Sequence, residues 1–201
     1  MKRCMMTVLG LAAVLGLLAA TADAAKFNKQ VNVGDAAPTF AGLPGTDDKS
    51  HSLSDFKDAQ VVVVAFTCNG CPVAKAYEER FVEFTNSYKD KGVAFVAINV
   101  NNVEADKLPA MKKRAEQKGL NYPYLYDASQ ASAKQYGATV TPHLFVLDKD
   151  RKIAYMGAFD DEINPANVKQ NYVPNAVDAL LAGQAPEITE SRQFGCGIKF
   201  D

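Results

Sequence analysis

Two cysteines frame the segment Cys68-Asn69-Gly70-Cys71. At that spacing one thiol can attack a disulfide, and the other can attack the mixed disulfide that results and release a reduced product. The segment lies between a β-branched run, Gln60 to Phe66, and apolar positions Val73, Tyr77, Phe81, Phe84 and Tyr88 at helical spacing. A strand therefore ends, and a helix begins, at the two sulfurs. A thiol at a helix start faces unpaired N–H groups and the positive end of the helix dipole, which lower its pKa from about 8.5. On this reading Cys68 is the sulfur that faces the helix end and attacks, and Cys71 resolves. Pro72 sits in the first helical turn, where proline does little harm. The competing structural readings are a structural disulfide and a zinc half-site; tetrahedral zinc needs four ligands, and the chain has no second C-x-x-C or close Cys/His pair.

Val140-Thr141-Pro142-His143 precedes another apolar run, Leu144 to Leu147. A proline at the mouth of a strand can hold a cis peptide and present the preceding backbone to an extended substrate. Thr141, Asn69 and Gly70 are thus candidates for substrate alignment beside Cys68, Cys71 and Pro142. Cys196, in Gly195-Cys196-Gly197, is a candidate third redox thiol on a flexible tail that folds back to Cys68 or reaches another protein; the bland alternative is a small packed hydrophobe. The chain has two histidines, His51 and His143. Two soft thiolates with the His143 imidazole would suit Cu(I), so a copper-delivery module built on Cys68, Cys71 and His143 is the alternative outside enzymes; otherwise His143 points from a strand edge to solvent or a hydrogen bond. The acidic loop Asp160 to Pro165 reads as solvated surface, and Tyr122, Tyr124 and Tyr126 as packing.

The elements that must position these groups follow from periodicity. Gln60–Phe66 and Val93–Val100 are continuous apolar strands of the kind buried on both faces of a parallel sheet. Helices are expected over 71–91, 104–118, 129–136 and 168–181, three of them stopped by Gly92, Gly119 and Gly137. An extended segment at 122–127 and a hairpin of 142–148 and 152–159, turning on Asp148-Lys149-Asp150-Arg151, complete the pattern. Strand–helix units followed by a hairpin and a helix imply an α/β layer fold with an antiparallel edge.

The whole chain has 201 residues, 48% hydrophobic, with a formal charge of −1, which suits one domain and excludes the basic field that draws proteins to nucleic acid. Residues 1–24 run from Lys2 and Arg3 through an apolar stretch to Ala22-Asp23-Ala24, the order of a cleaved secretory signal. A periplasmic or secreted protein is expected, with membrane contact only if the signal stays uncleaved. Cys4 leaves with the signal, and three cysteines remain, an odd number, in a compartment where disulfides persist. The expected layout is signal 1–24, domain 25–182 and a tail 183–201 carrying Cys196.

Gly34-Asp-Ala-Ala-Pro-Thr-Phe40, Ser54-Asp-Phe56, the strand–CxxC–helix unit and the Thr-Pro strand together resemble the thioredoxin fold in its redoxin branch, near the alkyl hydroperoxide reductase/thiol-specific antioxidant group. Tyr122-Pro-Tyr-Leu-Tyr-Asp127, Tyr136-Gly-Ala138, Phe159-Asp-Asp161 and Gly195-Cys-Gly-Ile-Lys199 extend the likeness over about Val33 to Ile198. The resemblance implies a central mixed sheet flanked by helices, with an N-terminal redoxin extension. It implies thiol–disulfide exchange with Cys68 attacking, Cys71 resolving and Pro142 cis, without a cofactor, on protein or small-molecule disulfides. A thiol peroxidase acting on peroxides is the alternative enzyme. The chain departs from peroxiredoxins because Ala65 stands three before Cys68, where their signature has threonine; Thr67 with Cys71-Pro72 is an offset echo. It departs from thioredoxins because Val61 to Phe66 holds no acid, so Glu79 or solvent is expected to carry the proton.

Overall fold

The computed structural model describes residues 25–201. The expected signal, with Cys4, lies outside them. Among the described residues the first strands form a short hairpin, β1 (Leu43–Pro44) paired with β2 (Ser50–His51). There follow β3 (Val61–Phe66), α1 (Pro72–Tyr88), β4 (Val93–Asn99), α2 (Leu108–Lys118), β5 (Tyr124–Tyr126), α3 (Ala131–Tyr136), β6 (Val140–Thr141), β7 (His143–Leu147), β8 (Ile153–Gly157), α4 (Tyr172–Leu181) and β9 (Cys196–Gly197). Five strands form the central sheet in the order β5-β4-β3-β7-β8, parallel from β5 to β3 and antiparallel from β3 to β8. This is the mixed α/β architecture expected.

The apolar run of β3 is continuous because both sheet faces are covered. Val61, Val63 and Ala65 join a core with Tyr77, Phe81 and Phe84 of α1 and Val173, Ala176 and Val177 of α4. The alternate residues Val62, Val64 and Phe66 face a second core with Ala133 and Tyr136 of α3 and Val31, Phe40 and Leu53 of the N-terminal extension. That division is the two-residue period of a pleated strand.

Helix ends differ from the expected spans for local reasons. α1 stops at Tyr88, a 3₁₀ turn carries Lys89–Lys91, and Gly92 then takes the left-handed conformation (φ 76°) that ends the run. The expected helix from Glu104 divides into a 3₁₀ turn, Glu104–Asp106, and α2, because Pro109 fixes the start of the second piece. Residues 168–171 precede α4 rather than belonging to it.

The segment after α4 lacks periodicity yet is strapped to the domain along its length, against the expectation of a flexible tail. Glu190 bridges to Met156, and the Ser191 hydroxyl accepts the Ala158 N–H at 3.0 Å. Phe194 packs on the first core, with its ring centroid 6.3 Å from that of Tyr77. Beyond Cys196 the Ile198 N–H donates to the Thr139 carbonyl and the Lys199 N–H to Asn101 Oδ1, both at 2.9 Å.

Candidate redox site

The last residue of β3, Phe66, pairs with the first of β7, His143, and the strands run antiparallel. The chain leaving β3 toward Cys68 and the chain entering β7 through Thr141-Pro142 must therefore meet at one end of the sheet. The Thr141–Pro142 peptide is cis, as expected. Cys68 Sγ lies 3.3 Å from Thr141 Oγ1, and Cys71 Sγ lies 3.1 Å from the Thr141 carbonyl oxygen, to which the thiol donates. Both cysteines are buried, and with Cys196 all three are free thiols.

The helix begins at the second sulfur and not the first. α1 begins at Pro72, which lacks an N–H and is suited to the first helical position, so its N-cap is Cys71 and not Cys68. The pre-proline residue is held extended (φ −78°, ψ 121°), and its sulfur accepts the Ala74 N–H at 3.4 Å. Cys71 is lowered well below the ordinary thiol value, first by the hydrogen bond it receives from Cys68 and then by Cys196 and the Ala74 N–H, against the cost of burial. Cys68 is raised, first because its proton is held by Cys71 and second by burial, with the Asp106 charge adding to both. The Thr141 carbonyl opposes a Cys71 thiolate, whereas the Ala74 N–H favours it.

A polar frame missed in the sequence fixes the turn between the sulfurs. Asp106 is 1% exposed, and its Oδ1 accepts the Gly70 N–H at 2.8 Å. Its Oδ2 accepts from Asn101 Nδ2 at 3.0 Å, and its carbonyl accepts from Asn99 Nδ2 at 2.7 Å. Asn69 donates to the Ala105 carbonyl and accepts the Tyr124 hydroxyl at 3.0 Å, so Tyr124 positions the motif as well as packing. Glu79 is exposed on α1. The buried acid beside the motif is Asp106, which comes from the β4–α2 connection. Its one sequence signal was an acid between two asparagines and a proline-started helix, which identifies no partner.

Two other expectations are corrected. His143 is 1% exposed, not at a solvent edge; it stacks on Phe145 with centroids 4.5 Å apart, and its Nδ1 has no hydrogen-bond partner. Burial holds its imidazole down at about 3. Among the described residues no group of three or more His, Cys, Asp or Glu side chains is placed to hold a metal ion. Asp160 is buried rather than solvated: it accepts the Tyr77 hydroxyl at 2.6 Å and pairs with Arg80. His51 pairs with Asp47 at 3.0 Å, on the β1–β2 hairpin.

Cys196 enters the site by strand pairing. β9 lies antiparallel to β6 with Thr141 opposite Cys196, and the cysteine packs against Cys68, Cys71 and Ala74. Gly195 permits this approach, since a Cβ there would lie 2.0 Å from the Thr141 carbonyl oxygen. The tail does fold back on the motif, and Cys196 packs against the cluster that holds both sulfurs.

Comparison with known proteins agrees with this architecture. A hypothetical protein of Sinorhizobium meliloti superposes with a TM-score of 0.79 at 35% identity, over 87% of this chain and 97% of its own. An uncharacterized conserved protein of Geobacillus kaustophilus does so with the same TM-score at 38% identity, over 84% and 92%. The thiol–disulfide oxidoreductase ResA of Bacillus thuringiensis is 27% identical over 125 residues, 62% of this chain and 69% of that protein. The family description Redoxin matches residues 32–172, which includes the CxxC motif, the Thr-Pro strand and the whole central sheet, and the chain belongs to the redoxin family.

Proposed function

We propose that this protein is an exported thiol–disulfide oxidoreductase whose working couple is Cys68 and Cys71. The observation that carries the reading is the convergence of both sulfurs on Thr141 at the start of one helix, with Cys71 as its N-cap. The likeness to ResA supports the reaction class, and the secretory pattern of residues 1–24 supports export. No helix among the described residues is long and apolar enough to cross a membrane.

The geometry favours Cys71 as the attacking sulfur, which reverses the expected order. Its thiolate attacks one sulfur of a substrate disulfide, forming a mixed disulfide and expelling the other sulfur as thiolate. Cys68, packed in one cluster with Cys71, then attacks Cys71 Sγ, expels the substrate's remaining thiolate and closes the Cys68–Cys71 disulfide. Two electrons pass from the dithiol to the substrate, and the protons pass to the released thiols. Thr141 offers backbone for an extended substrate to pair with, as β9 already does. Asp106, Asn69 and Gly70 hold the loop.

The test is turnover of a protein disulfide such as insulin under a thiol reductant. Activity is expected to vanish in Cys71→Ser. Cys68→Ser/Cys196→Ser, which leaves no second thiol beside Cys71, is expected to trap the substrate on Cys71 as a mixed disulfide. Trapping on Cys68 in Cys71→Ser/Cys196→Ser, with none on Cys71 in Cys68→Ser/Cys196→Ser, would restore the opposite order, and no turnover by the unaltered protein would overturn the reading.

A further inference from the structure

The tail strand occupies the place that a substrate strand would take. It pairs with the Thr141 edge and brings a cysteine, not merely a side chain of suitable size, to the sulfur of Cys71. The placement is anchored from both directions. On one side Gly157 makes room for Ser191, whose carbonyl oxygen would lie 2.4 Å from a Cβ at 157, and the Ser191 hydroxyl also pairs with Tyr155 at 2.6 Å. On the other side the Gln130 side chain donates to the Lys199 carbonyl at 2.9 Å. Between these anchors Gly195 passes against the Thr141 carbonyl with no space for a side chain. The Cys71 and Cys196 side chains thus pack together at the N-terminus of α1, where the Ala74 N–H donates to Cys71.

We infer that the Gly195–Cys196–Gly197 strand is a tethered substrate of the redox couple, and that Cys196 exchanges with the Cys68–Cys71 disulfide to form a Cys71–Cys196 disulfide. The inference rests on the proposed dithiol chemistry, which supplies the oxidised couple. In the step, Cys196 Sγ attacks Cys71 Sγ; the Cys71–Cys196 bond forms, the Cys68–Cys71 bond breaks, and Cys68 leaves as the thiolate and takes up the proton that Cys196 loses. No net electrons enter or leave, because one disulfide replaces another. Cys196 is raised in the dithiol chiefly by its hydrogen bond to Cys71, and that cause is gone once Cys71 is in a disulfide. The exchange stores the oxidising equivalent on a strand at the surface of the site and frees Cys68. An external substrate that pairs with the same Thr141 edge must displace this strand, and in the same register it needs glycine before its cysteine.

The full mature protein is oxidised with a slight excess of glutathione disulfide, quenched in acid, alkylated and mapped by mass spectrometry. Expected in the unaltered protein is a mixture of Cys68–Cys71 and Cys71–Cys196 disulfides, with Cys68 alkylated in the second fraction. Cys68→Ser is expected to close Cys71–Cys196 nearly completely, with glutathione bound at under a tenth of molecules. Gly195→Ala, which pushes the strand off Thr141, is expected to lose the Cys71–Cys196 species at least tenfold while keeping Cys68–Cys71. If Cys68→Ser yields only a glutathione adduct on Cys71, with Cys196 free, the tethered exchange is overturned while the dithiol reading stands. If no Cys68–Cys71 disulfide forms in Cys196→Ser either, the parent reading fails with it.

Discussion

The Asp106 carboxylate accepts the Gly70 N–H at 2.8 Å, so a residue 36 positions along the chain holds the turn between the two reactive sulfurs. The same carboxylate lies close enough to the motif that its charge disfavours ionisation of Cys68. Asp106 thus acts on the couple both through the backbone and through its field.

Replacing Asp106 separates those two effects. Asp106→Ala leaves the Gly70 N–H and the Asn101 amide without their acceptor and is expected to cost on the order of 1–3 kcal/mol of stability, read by urea unfolding. Asp106→Asn keeps an acceptor oxygen but removes the charge, so the Cys68 pKa is expected to fall. The pH profile of Cys68 alkylation reads that change, and an unchanged profile would show that the charge does not reach the sulfur.

The inequality of the two thiols predicts a distinctive pH response. Cys71 is lowered, so its contribution to stability is fully present above its unfolded value of about 8.5 and is lost as pH falls through the folded value. Cys68 is raised, so its contribution is present below about 8.5 and lost as pH rises beyond it. Relative to Cys68→Ser/Cys71→Ser, the reduced protein is expected to gain stability from acid to about pH 8 and lose it above. Alkylation with iodoacetamide at pH 6 is expected to label Cys71 well ahead of Cys68 once the tail is displaced by Gly195→Ala.

His143 predicts acid sensitivity independent of the thiols. Its folded pKa of about 3 lies below the unfolded value, so the unfolded chain binds the extra proton first, and stability falls as pH drops below about 6.5. His143→Leu removes the unpartnered Nδ1 and is expected to flatten the unfolding free energy between pH 6 and 4. A slope unchanged in the variant would assign the acid sensitivity elsewhere.

Asp160 predicts a large stability effect away from the sulfurs. Its buried carboxylate binds Tyr77 and Arg80, and the Arg80 guanidinium also lies over the Tyr77 ring at 3.7 Å. Asp160→Ala strands a half-buried guanidinium and is expected to cost about 3–5 kcal/mol, seen as a lowered Tm. Thiol alkylation profiles should keep their shape at temperatures where the variant is folded.

Sequence alone determined the features that depend on neighbours along the chain. The β-branched run, the helical spacing after Cys71 and the Asp148–Arg151 turn set strand, helix and hairpin, because local backbone preference and periodicity act within a few residues. The thiol pair at a strand–helix junction and the Thr-Pro strand were legible for the same reason. Even the helix start at Pro72 was local, and weighing proline's preference for the first helical position would have put Cys71 at the cap. Tertiary structure alone decided what the sulfurs meet. Asp106 beside Gly70, Tyr124 on Asn69, the burial of His143 and Asp160, and Cys196 opposite Thr141 join residues 36 to 83 positions apart or depend on layers packed over them. Such contacts leave no period in the sequence, because a single polar pair or one glycine-flanked cysteine is placed by the packing of whole strands and not by the preference of its own segment.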